Sequence, residues 1–132
     1  SSRVGQLLSG VGITCLFDLC IDPAATAMGY WYWQPSSHMY YGVPIQNFFG
    51  WLLSSAIGIF IIQMMTLKNK NSIIPADVHR GTILLLGFHI GATIAFRQWI
   101  ATAFGFVGIG ILAYTLIQQM RTMKPFGSKS AA

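Results

Sequence analysis

The chain contains no glutamate, and its acidic side chains are three aspartates, Asp18, Asp22 and Asp77. Charged residues of both signs make up 8% of its 132 residues, where a soluble domain carries about 25%. So little charge excludes an ordinary water-exposed surface. The formal net charge of +5 does not point to nucleic acid either, because the basic residues stand at the ends of apolar runs instead of sharing one surface. Cysteine is confined to Cys15 and Cys20, in one apolar segment, where a helix points them apart and disfavours a mutual disulfide. There is no phosphate loop, no Gly-x-Ser-x-Gly elbow and no Cys-x-x-Cys pair. His38 and His79 are loop residues without a second ligand at metal spacing, so no metal site is expected. Neither an initiator methionine nor a signal-peptide cleavage pattern is present, and a processed product or a piece of a longer chain is expected.

What the chain does have is apolar sequence, 54% of it, and the composition is that of an integral membrane protein. A helix needs about 20 apolar residues to cross about 30 Å of hydrocarbon. Spans are predicted at about 4–21 and 44–67, and the 40-residue apolar stretch interrupted by Arg97 and Gln98 divides into two more, about 81–96 and 99–120. Pro23 disfavours helical geometry at Asp22, which predicts a break there, with Asp22 capping a short interfacial helix at about 23–33. The expected fold is therefore all-α with four transmembrane helices in a single domain, residues 1–124, and a flexible tail, 125–132. Four crossings put Arg3, Lys68, Lys70, Arg80, Arg121, Lys124 and Lys129 on one side and leave Arg97 opposite. That asymmetry predicts both termini in the cytoplasm and the link between the first two helices on the outer side. Ser54 and Gly58, Gly87 and Gly91, and Gly105, Gly108 and Gly110 supply small surfaces for helix packing.

The link is DPAATAMGYWYWQPSSHMYYGVPIQNFFGW, residues 22–51, with three of the four tryptophans and four of the five tyrosines. Asp18 and Asp22 share a face if one helix continues through both. Two carboxyls held close where hydration is poor do not both ionise easily, and a neutral acid among apolar groups is what proton delivery to an unactivated carbon–carbon double bond requires. The tertiary carbocation so formed is stabilised by electron-rich faces such as Tyr30, Trp31, Trp33 and Tyr41, at about 0.5–2 kcal/mol each. Water addition completes a hydration. Asn47, in the first turn of the second span, is placed either to orient a water or to satisfy orphan backbone groups. A plainer reading stands beside this one: Asp22 as a helix cap and the Trp and Tyr cluster as an interfacial belt. Asp18, an acid inside an apolar segment, is costly there and so a functional candidate. His89, between Gly87 and Gly91, suits either a chlorophyll-type magnesium or haem iron, or a bond to a neighbouring helix.

The blocks DPAATAMGYWYW and YYGVPIQNFFGW resemble the membrane carotenoid hydratase family, the bisanhydrobacterioruberin hydratase-like carotenoid biosynthesis proteins. The matching residues are Asp18, Asp22, Pro23, Gly29, Trp31, Trp33, Tyr41, Gly42, Pro44, Asn47, Phe48, Gly50 and Trp51, and the second block, Gly-x-Pro-x-x-Asn-Phe-x-Gly-Trp, is the specific part. The resemblance implies addition of water to the terminal double bond of a linear carotene, giving a tertiary alcohol. On that reading Asp18, Asp22 and Asn47 are catalytic, and Tyr30, Trp31, Trp33, Tyr41, Phe48 and Trp51 contact a bound carotenoid; no cofactor is required. The resemblance also implies that members are longer, with more membrane helices, and that this chain corresponds to their C-terminal half. The alternative is a non-catalytic accessory subunit of a photosynthetic reaction-centre or light-harvesting complex. In that case membrane lipids and other transmembrane subunits surround the chain, and bacteriochlorophyll binds through His89. The expected location is a bacterial inner or photosynthetic membrane.

Overall fold

The computed structural model describes residues 2–35, 39–66 and 76–122. The expected residues His38, Lys68, Lys70, Lys124 and Lys129 and the tail lie outside these. Four helices, α1 (Arg3–Ala27), α2 (Ile45–Thr66), α3 (Ala76–Ala95) and α4 (Trp99–Thr122), are joined between α1 and α2 by a small hairpin of β1 (Met39–Tyr40) and β2 (Val43–Pro44). All four helices are long and apolar enough to cross a bilayer, and the protein is an all-α membrane protein. Helix α1 is central: it packs against α2 on one side and against the α3–α4 pair on the other. Large side chains such as Phe60, Leu84, Phe88 and Phe106 point outward and are exposed, the pattern of a surface that meets lipid.

The interior is built from small residues, Cys20, Ala24, Ala25 and Ala101, around Leu86 and Ile90. Helix α4 reaches α1 and α3 through Gly105, where an added Cβ would lie 2.5 Å from Ile90 Cγ1 and 2.7 Å from Cys20 Sγ. Gly108 meets Phe17 and Leu86, and Gly10 meets Ile59. Of the other glycines expected to pack, Gly58, Gly87, Gly91 and Gly110 face open space, because the sequence marks small residues without saying which face is turned inward. Gly105→Ala is accordingly expected to lower stability in detergent by about 1–3 kcal/mol through overpacking. Gly110→Ala should leave the same unfolding midpoint almost unchanged.

The predicted break at Pro23 does not occur. Helix α1 runs through it, and neither an Asp22 cap nor a short helix at 23–33 forms. Proline removes one backbone donor, the N–H that would reach the Leu19 carbonyl, and the Tyr40 hydroxyl donates to that carbonyl instead at 3.2 Å. Helix α1 ends later, where Gly29 takes φ +76° and the Tyr30 and Gly29 amides close back on Ala25 and Thr26. That is a Schellman ending, which favours glycine at the left-handed position. Helix α3 starts before the expected residue 81: its first turn is polar, with Asp77 near the N-terminus and Arg80 paired to it at 3.1 Å. Arg97, at φ +57°, turns α3 into α4.

Candidate active site

Asp18 and Asp22 are one helical turn apart on α1 and nearly inaccessible, at 4% and 3% exposure. A strand hairpin returns the chain beside them. Its two-residue turn, Tyr41 and Gly42, has positive φ at both positions, the geometry that matches strand twist, and β2 feeds directly into α2. The first turn of α2 thereby brings the Asn47 side-chain amide to donate to Asp22 Oδ2. One turn further, Trp51 also lies within hydrogen-bonding reach of the Asp22 carboxyl, as does Asp18. The second oxygen of Asp18, Oδ2, is buried without a hydrogen-bond partner. The ion pair of Asp77 with Arg80 stands in the first turns of α3, and the neutral side chains beside Asp22 are those of Asn47 and Trp51.

Asp22 opens into a cavity of about 250 Å³ lined by Asp22, Trp31, Tyr32, Trp33, Asn47 and Trp51. A hollow of about 220 Å³ beside Asn47, Gly50, Trp51 and Ser54 adjoins it. Of the residues expected at the site, Asp22, Asn47, Trp31, Trp33 and Trp51 come together around this space, while Asp18 reaches it only through Asp22. Tyr30 is exposed and lies outside the lining. Tyr41 and Phe48 serve the hairpin instead. The Tyr41 hydroxyl accepts the Ile100 amide at 3.3 Å, and Tyr40 packs edge-on against Tyr41 and Phe48 with ring centroids 4.9 and 5.8 Å away.

Sequence reasoning missed Tyr32, Tyr40 and Gln98. The Tyr-Trp-Tyr-Trp run was the available signal for Tyr32, whose hydroxyl sits 3.1 Å from where a Cβ on Gly29 would be. Burial pushes the Tyr40 hydroxyl further above its ordinary range, with Tyr41 and Cys20 adding to the effect, and it remains a donor. Gln98, buried in the α3–α4 turn, donates from Nε2 to the Pro23 carbonyl at 3.1 Å. His89 is buried in α3 with Nδ1 donating to the Leu85 carbonyl at 2.8 Å, and it takes no part in the Asp22 cavity. Among the described residues no three His, Cys, Asp or Glu side chains gather as a metal site would require.

A family model described as "Carotenoid biosynthesis protein" matches residues 1–113, well past the stretch at 18–51 on which the sequence resemblance rests. The chain is similar to bisanhydrobacterioruberin hydratase of Haloarcula japonica, with 39% identity over 61 residues, 46% of this chain. The matched stretch spans 20% of that relative's length. No solved structure matches the chain.

Proposed function

The chain belongs to the carotenoid biosynthesis protein family, and from that premise we propose that it adds water across the terminal double bond of a linear carotene. The observation that most supports this is the Asp22 carboxyl at the wall of an aromatic cavity, held by Asn47 and backed by a second buried carboxyl. The cavity is small for a whole ligand and suits a branched chain end, with the remainder of the molecule lying along the helices.

The Asp18–Asp22 pair holds one proton, because two like charges this close in a poorly hydrated place repel strongly. Asp22 passes that proton to the less substituted CH carbon of the terminal double bond, and the π electrons form the new C–H bond. The adjacent tertiary carbon becomes cationic over the faces of Trp31, Trp33 and Trp51, which attract positive charge. The Asn47 side-chain carbonyl accepts from a water whose oxygen attacks that carbon, and the water's surplus proton returns to the carboxyl pair. Carotene and one water are consumed, one alcohol forms, and the pair ends as it began.

Orientation belongs to the same proposal. The aromatic link and the turn at Arg97 lie at one end of the bundle, tied by the bonds from Gln98 to Pro23 and from Ile100 to Tyr41. Toward the other end stand Arg3, Arg80 and Arg121, and that positive charge supports a cytoplasmic placement of both termini. Helix α2 leans on α1 and leaves Phe49, Leu53 and Met65 exposed to lipid or to further membrane helices.

The test is incubation of the membrane-embedded protein with a lycopene-type carotene in heavy-oxygen water. A product heavier by one labelled water is expected. Carotene recovered bound but unchanged in mass would overturn the proposal and favour pigment contact without turnover.

A further inference from the structure

Pro23 leaves α1 one donor short within the very turn that carries its acids. The carbonyl it orphans belongs to Leu19, which follows Asp18 directly, and Pro23 itself follows Asp22. A backbone carbonyl without a partner is costly at membrane depth, and here it is filled from outside the helix by the Tyr40 hydroxyl. One turn on, the carbonyl of Pro23 receives Gln98 Nε2, and Gln98 is 6% exposed. The backbone on either side of Asp22 is therefore gripped by two side chains, one from each connection at this end of the bundle. Tyr40 also stands on the hairpin that runs through β2 into Asn47. A single short segment thus docks on the acid-bearing turn and delivers the amide that bonds Asp22.

We propose that Tyr40 and Gln98 are positioning residues, which fix the pitch of the α1 turn and so register the Asp22 carboxyl against Asn47 and the aromatic cavity. The proline is the device that makes this possible, since it keeps a helix carbonyl open as a socket for the hairpin. The chemical consequence rests on the hydration reading, whereas the structural one does not.

The experiment is a cycle of four proteins, the unmodified chain, Tyr40→Phe, Pro23→Ala, and both together, with Gln98→Leu measured beside it. Three readouts are taken in detergent or bilayer: the thermal midpoint, the infrared carboxyl bands of Asp18 and Asp22, and kcat and KM for water addition. Tyr40→Phe is expected to lower the midpoint, shift the carboxyl bands and reduce kcat about tenfold with KM changed less than about twofold, as for a displaced but intact acid. With Pro23→Ala in place the restored N–H takes the Leu19 carbonyl, and Tyr40→Phe should add little to any readout. Gln98→Leu should reduce kcat and shift the bands in the same way as Tyr40→Phe. Equal effects of Tyr40→Phe in both backgrounds would overturn the proposal, as would a raised KM with unchanged kcat. If no protein adds water, yet the midpoints are non-additive and the bands move, the hydration reading fails and the positioning stands. Additive midpoints in a protein that does add water would overturn the positioning and leave the hydration reading in place.

Discussion

Asp22→Asn is expected to reduce water addition about a thousandfold or more, within the range that a positioned general acid contributes, while leaving carotene binding intact. Asparagine has nearly the same shape, and its side-chain carbonyl still accepts from the Asn47 amide that bonds Asp22 Oδ2. The cavity formed by Trp31, Tyr32, Trp33 and Trp51 keeps its walls. What is lost is the carboxyl that borders the space where the alkene lies. Product mass reports turnover, and the visible absorption of retained carotene reports binding. Activity above about a tenth of the unmodified protein's would remove Asp22 from the role of acid, because a tenfold loss is smaller than removal of a general acid produces.

The elements of this site are unequally legible in the sequence. The four spans are readable because lipid imposes a length and a composition on each helix. The break expected at Pro23 fails for a definite reason: sequence shows the donor that proline removes but not its replacement. The replacement, Tyr40, lies 21 residues from the carbonyl it satisfies. The aromatic composition of the site is equally plain, yet it does not assign individual rings, so that Tyr41 and Phe48, expected at the cavity, are found supporting the hairpin. Tyr32 escapes notice although it stands between two tryptophans that line the same space. The bond between Asn47 and Asp22 joins residues 25 apart, and only the spaced motif around Asn47 hints at it. Gln98, in the α3–α4 turn, carries no signal beyond being a polar residue among apolar ones.

Asp18 supplies the second large effect, and here activity and stability should move in opposite directions. Its Oδ2 is buried without a hydrogen-bond partner, and a group left in that condition costs about 1–3 kcal/mol. A leucine at this position would remove that cost and add apolar contact on a buried face of α1. Asp18→Leu is therefore expected to raise the unfolding midpoint in detergent while lowering water addition about a hundredfold, since Asp22 would lose the neighbour that shares its proton. The two carboxyls act as one unit, and effects within a unit do not add. The double replacement, Asp18→Leu with Asp22→Asn, should consequently be no slower than Asp22→Asn alone. An Asp18→Leu protein that is less stable than its parent, or a double variant that loses the product of both single effects, would mean that the carboxyls serve separate purposes. A buried acid kept at the expense of stability is the pattern of a group retained for chemistry, and the opposed signs of these two measurements distinguish it from an acid retained for packing.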